Sequence, residues 1–168
     1  MSWRCAMCGI EHDDVPVCFG LEAPWRELVP ETEFDGRVDL TPDLCVVDGE
    51  TFFVRGHIEI PIHDHAESLA FSVWSSISRD SFARMFERWE SEDRASDAPY
   101  FGWLCNSIAV YPNTVHLKIS VRSRPPGLTP LFVLEPTDHP LAVDQRTGIS
   151  VERWHRLAHE VLHSSQGH

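Results

Sequence analysis

Apolar and polar residues alternate almost strictly from Thr51 to His63. Phe52, Val54, Gly56, Ile58, Ile60 and Ile62 take the even positions, and Thr51, Arg55, His57, Glu59 and His63 the odd ones. Successive strand side chains point to opposite faces, so this pattern predicts a strand with one greasy and one wet face. The same period returns over 68–78, where Leu69, Phe71, Val73 and Ile77 oppose Ser72, Trp74 and Ser76. It returns again over 114–124, with Val115, Leu117, Ile119 and Val121 against His116, Lys118, Ser120 and Arg122. A fourth strand is expected from Leu131 to Glu135. Asp48-Gly49 between apolar stretches is a hairpin signal leading into the first strand, and Pro125-Pro126-Gly127 makes a later turn.

The period changes after Ser78, a residue suited to capping a helix. Phe82, Met85, Phe86 and Trp89 recur at i, i+3, i+4 and i+7, which predicts a helix over 79–92 with one stripe on the sheet. Val151, Trp154, Ala158 and Val161 mark a terminal helix over 149–164. Residues 21–50, rich in Pro, Gly and acids, read mostly as loop, as does 137–142, with His63-Asp64-His65 joining the first two strands. The predicted architecture is α+β: an antiparallel sheet of four or more strands, the helices at 79–92 and 149–164 on one of its faces, and an N-terminal zinc-knuckle lobe over 1–20. With no repeat or linker, residues 1–168 form one domain, whose sheet and helices occupy 43–164.

Composition agrees with a packed globule: 42% hydrophobic and 10% aromatic over 168 residues. Charge narrows the partners. The formal net charge is -12. It is carried mainly by residues 1–48, with eleven acidic and three basic groups, and by residues 49–113, with ten and five. Such a surface repels phosphate backbones and attracts a basic protein partner, so no nucleic acid is expected. The N-terminus has no apolar signal core and no apolar run approaches the ~18 residues of a membrane span, which predicts a cytoplasmic protein with reduced cysteines.

Two motifs carry metal chemistry. Cys5-Ala6-Met7-Cys8-Gly9 puts two thiolates three residues apart around a turn, within reach of one tetrahedral zinc. Its remaining ligands would be single residues, His12 and Cys45 foremost, then Cys18, Cys105 or His139. A redox dithiol is the competing reading of Cys5 and Cys8, weakened because no strand precedes the pair and no helix follows it. Taken singly, Cys18 and Cys45 read as small core residues. The second motif, His159-Glu160-Val161-Leu162-His163, fits a zinc-hydrolase helix with Glu160 as the base. No downstream third ligand follows it, and His155, His159 and His163 fall beside the apolar stripe, leaning to solvent, so a solvated histidine row is the expectation.

On the sheet's wet face, Arg55, His57, Trp74, His116, Lys118 and Arg122 would form a basic, aromatic strip. Ordinary pairing of Arg55 and Lys118 with Glu59 or its neighbours is the simpler account. Asp138-His139 reads as loop capping by Asp138.

Along the chain stand Cys5 to Gly9 with His12, Asp43-Leu44-Cys45-Val46-Val47-Asp48-Gly49, Phe52 to Gly56, Gly102-Trp103-Leu104, Tyr111-Pro112 with Thr114, and Thr137 to Ala142. By these residues the chain, from Cys5 to about Ile149, resembles the bacterial domain-of-unknown-function family number 2199. The resemblance implies a bacterial cytosolic single-domain protein with a metal knuckle and implies no reaction. The functional expectation is therefore a non-enzymatic, zinc-containing binding module, such as an acidic adaptor or an antitoxin-like immunity protein. A zinc hydrolase using His159, Glu160 and His163, and a thiol redox protein using Cys5 and Cys8, are the alternatives.

Overall fold

The computed structural model describes residues 3–4, 11–12 and 17–166, with side chains over 17–163. In chain order the strands are β1 (Trp3–Arg4), β2 (Glu11–His12), β3 (Cys18–Gly20), β4 (Val38–Leu40), β5 (Leu44–Val47), β6 (Thr51–Pro61), β7 (Ser68–Ile77), β8 (Tyr100–Leu104), β9 (Lys118–Arg122) and β10 (Leu131–Leu134). The α-helices are α1 (Phe34–Arg37), α2 (Arg79–Glu87), α3 (Pro140–Thr147) and α4 (Val151–Gln166).

The alternating segment is the hub. β6 and β7 pair antiparallel from Phe52↔Ile77 to Pro61↔Ser68. β7 passes to β8, β8 to β9 and β9 to β10, each antiparallel, and β10 returns to β6 at Leu131↔His57. Five strands in strict up-and-down order must begin and end in the same direction, so the closing junction has to be parallel, and it is. The sheet therefore closes into a five-stranded barrel. This corrects the plain antiparallel sheet expected from the sequence, as does a second parallel pairing, of β3 with β7.

The barrel is filled by the apolar face that the alternation marked. Val54, Ile58, Val73, Leu104, Val121 and Phe132 are each 0% exposed. Gly56 interrupts the row because the Phe132 ring lies where its side chain would stand: a Cβ there would sit 2.2 Å from Cε1. Beyond Leu131 the seam between β6 and β10 is bridged from α3. Gln145 donates from Nε2 to the Phe132 carbonyl at 2.7 Å and accepts from the Leu134 N–H at 2.8 Å. One side-chain amide thus replaces the peptide of a neighbouring strand.

The first half of β6 is buried on both faces. β5 pairs with it from Val47↔Thr51 to Leu44↔Val54, and β4 pairs with β5. Outside the barrel, Phe53 and Trp74 meet Cys45, Val47, Val38, Trp25 and Val29 in a second apolar cluster. Asp48 and Gly49, at φ 54° and 65°, form the hairpin turn between β5 and β6, as their pairing of residue types predicts.

The helices occupy opposite ends of the β6–β7 ribbon, not one face. Ser78 caps α2 by accepting from the Ser81 N–H at 3.1 Å, and Phe82 packs on Phe52 at a ring separation of 4.7 Å. At the other end Ile62 bridges Ile149, and Trp154 of α4 lies 4.8 Å from the His65 ring in the β6–β7 turn. The inner face of the closed sheet is filled by its own side chains, and these two helices take its ends. The predicted helix over 79–92 stops at Glu87, and Phe86 of its stripe is 66% exposed. The 114–124 strand is shortened at its start by a turn in which His116 adopts φ 72°. The predicted 137–142 loop holds the start of α3, capped by His139.

Cys5 and Cys8 lie outside the described residues, and no zinc-knuckle lobe is visible among those that are described. β1 and β2 pair antiparallel with Arg4 opposite Glu11. Among the described residues, no helix is long and apolar enough to cross a membrane.

Candidate functional site: an acid-rimmed aromatic cleft

The segment expected to be loop builds one wall of an open cleft. Pro24 opens a 3-10 turn over Pro24–Glu27, which drops the Trp25 indole into the outer cluster. β7 pins the chain on either side. Leu21 N–H donates to the Ser72 carbonyl at 2.9 Å, and Trp74 Nε1 donates to the Leu21 carbonyl at 3.2 Å. Asn106 ties both partners, accepting from Trp74 N–H at 2.7 Å and donating to the Glu22 carbonyl at 2.8 Å.

Between this segment, α1 and the outer surface of β6 and β7 lies a cavity of about 720 Å³. Trp25, Phe34 and Trp74 supply its aromatic surface, and Trp25 and Phe34 pack tilted at 4.6 Å. Glu22, Glu31 and Asp35 stand around it, with two guanidiniums, Arg26 and Arg55. The two arginines differ. Arg55 is locked: it donates to the Pro42 carbonyl at 2.6 Å, Ser72 Oγ at 2.8 Å and Asp43 Oδ1 at 3.1 Å. Arg26 is held by two contacts of 3.4 Å, to Glu22 and to Glu31, and lies over the Trp25 ring at 4.4 Å.

The expected basic strip is therefore divided. Arg55 and Trp74 face each other across β6 and β7 at the cleft. Lys118 lies over Trp103 at 5.6 Å. Arg55 takes Asp43 as its partner instead of Glu59, which faces Arg124 at 3.7 Å. His57 is half-buried beside these cations: burial, then Arg55 and Arg124, hold its imidazole below the ordinary range, with Glu59 opposing.

Cys45 sits in the outer apolar cluster, where burial, with Asp39 adding, pushes its thiol up to about 11. That is the environment of a core residue and not of a ready thiolate. Cys105 lines a second cavity of about 530 Å³ together with His116, but its thiol is raised by burial and donates to the Trp103 carbonyl at 3.3 Å. His139 serves a joint: Nδ1 accepts from the Leu141 N–H at 3.1 Å, and Nε2 donates toward the Pro112 and Asn113 carbonyls at 2.9 and 3.0 Å. The cap is thus the histidine, not Asp138. The His159–His163 row departs from its solvated reading at one member. His159 is 1% exposed, its ring 3.9 Å from that of exposed His163, because the buried stripe of α4 widens through Leu157 and Ala158 to include it. Among the described residues, no three His, Cys, Asp or Glu side chains gather closely enough to hold a metal ion.

A family model described as "Uncharacterized protein conserved in bacteria (DUF2199)" matches residues 4–149. The chain belongs to this family. No curated protein and no solved structure matches it. The residues that carry the family resemblance meet at structural joints: Asp43 holds Arg55, Gly56 admits Phe132, and Gly102 leaves room for Ser75, whose Oγ would be 2.1 Å from an added Cβ. Tyr111 donates to buried Asp144 at 2.6 Å, which also pairs with Arg153 of α4. Burial, reinforced by that carboxylate, raises the Tyr111 hydroxyl far above its ordinary range, so it acts as a fixed donor.

Sequence reasoning missed the cleft because 21–50 has no period to read. The one available cue was the presence of Trp25 and Phe34 among acids and prolines, a composition that a solvated loop does not need.

Proposed function

We propose that this family member is a non-enzymatic binding module that meets a basic protein partner at the aromatic cleft, with zinc held structurally by Cys5 and Cys8. The cleft supports this reading: its wall includes the edges of two buried indoles, Trp25 and Trp74, and the partly exposed Phe34 ring, with three carboxylates around them, in a chain of net charge -12. Aromatic rings attract cations through their faces, and the surrounding negative potential raises the local concentration of a basic ligand. For the zinc, the support is the spacing of Cys5 and Cys8, two thiolates three residues apart.

Fluorescence anisotropy of a labelled Arg/Lys-rich peptide, with an acidic peptide as control, tests the binding. Micromolar affinity that weakens with salt is expected for the basic peptide only. Glu22→Gln with Glu31→Gln and Asp35→Asn should weaken it about tenfold or more. Equal binding of both peptides, or no effect of the triple substitution, would overturn the assignment of the cleft.

A further inference from the structure

The cleft already contains a cation of its own. Arg26 projects from the 3-10 turn, lays its guanidinium 4.4 Å from the Trp25 centroid, and spreads Nε toward Glu22 and a terminal nitrogen toward Glu31. Stacking on an indole with carboxylates on two sides suits a planar, forked cation better than the compact ammonium of lysine. The seat is loose. Both contacts are 3.4 Å, against the ~2.7–2.9 Å of a well-made charged hydrogen bond. Arg26 is 51% exposed, and Glu22 and Glu31 are 80% and 78% exposed. Such pairs hold a side chain weakly, whereas Arg55, three contacts deep, cannot leave without releasing the turn between β4 and β5.

We infer that the cleft is an arginine-recognition site, and that Arg26 is a resident stand-in which an arginine side chain of the basic partner displaces. This rests on the cleft being the binding site. With Arg26 swung out, the Trp25 face and both carboxylates become available, and the remaining cation, Arg55, stays paired with Asp43. Charge complementarity selects the occupant: three lining carboxylates then face no free internal cation among the lining residues. A partner's arginine gains the same stack and the same two carboxylates that Arg26 gives up, so the intramolecular seat lowers the apparent affinity by the fraction of time it is filled.

The test compares an arginine hexapeptide with a lysine hexapeptide on wild type, Arg26→Ala and Arg156→Ala. Arg156 is exposed on α4, so its removal makes the same change in net charge away from the cleft. The expected result is tighter binding of the arginine peptide to Arg26→Ala by roughly three- to tenfold. The lysine peptide should gain clearly less, and Arg156→Ala should leave both affinities within about twofold. Equal affinity of wild type and Arg26→Ala for the arginine peptide would overturn the stand-in while leaving the cleft as a binding site. Equal gains for both peptides, or equal gains from Arg156→Ala, would reduce the effect to net charge and overturn it too. Binding unaffected by Glu22→Gln with Glu31→Gln in the Arg26→Ala background would instead show that the cleft is not the site at all. Urea midpoints within about 0.3 M of wild type would establish that the variants remain folded.

Discussion

Gly56→Ala is the sharpest probe of the barrel. The added methyl would meet three atoms of the Phe132 ring at 2.2, 2.5 and 2.5 Å. Carbon atoms rest at about 3.5–4.0 Å, so the ring must retreat by roughly 1.5 Å. It has nowhere to go, being 0% exposed among barrel residues that are themselves 0% exposed. Overpacking of this kind costs about 1–3 kcal/mol, and a clash with three ring atoms belongs at the top of that range. Against it stands the reduced freedom of the unfolded chain when Gly becomes Ala, about 0.4–1 kcal/mol in favour of the variant. The net expectation is a loss of about 2 kcal/mol. At an m-value near 2 kcal/mol/M, the urea midpoint read by tryptophan fluorescence should fall by about 1 M.

A double-mutant cycle makes the cause specific. Phe132→Ala alone should cost about 3–5 kcal/mol through the cavity it opens. In that background Gly56→Ala should be neutral or mildly stabilising, because the atoms it struck are gone. The coupling should therefore approach 2–3 kcal/mol, well above the ~0.5 kcal/mol scatter of independent sites. Additive costs, or a Gly56→Ala variant as stable as wild type, would refute the packing of Phe132 over Gly56 and with it this description of the barrel interior.

Two further outcomes follow from the chemistry described. His57 has its folded-state affinity for protons lowered by burial and by Arg55 and Arg124, from an ordinary value of 6.5. Its contribution to stability is thus complete above 6.5 and lost as pH falls through the lower folded value. Urea unfolding at stepped pH should show wild type losing its margin over His57→Gln in that window, and parallel curves would refute it. Metal content of tag-free protein should fall from one zinc per chain to none in Cys5→Ser with Cys8→Ser, and stay unchanged in His159→Ala with His163→Ala. Loss with the histidines alone would place the metal on α4 and reverse the assignment.

Local elements whose two sides are chemically unlike were legible from residue order alone. Strict alternation over β6 and β7 marked one face for burial, and the Ser78 cap with the Phe82 and Met85 stripe marked α2. Asp48-Gly49 marked the turn into β6, because only residues tolerant of positive φ close such a hairpin. The short, aperiodic pieces were illegible: β3, β4 and β5, three or four residues long, carry too few positions to show a period. α3 was hidden by the turn-like Thr137 to Pro140 that begins it.

Which faces meet depends on contacts distant in the chain. Trp74 belongs by alternation to the wet side, yet it is buried, because residues 21–47 fold over that side and bury it with Trp25 and Phe53. Alternation distinguishes the two faces of a strand but says nothing of what later covers the outer one. Closure of the barrel likewise depends on β10 finding β6 more than seventy residues away in sequence, a contact no local period encodes. The cleft lies between those two long-range events, so its residues became a site only once both had occurred.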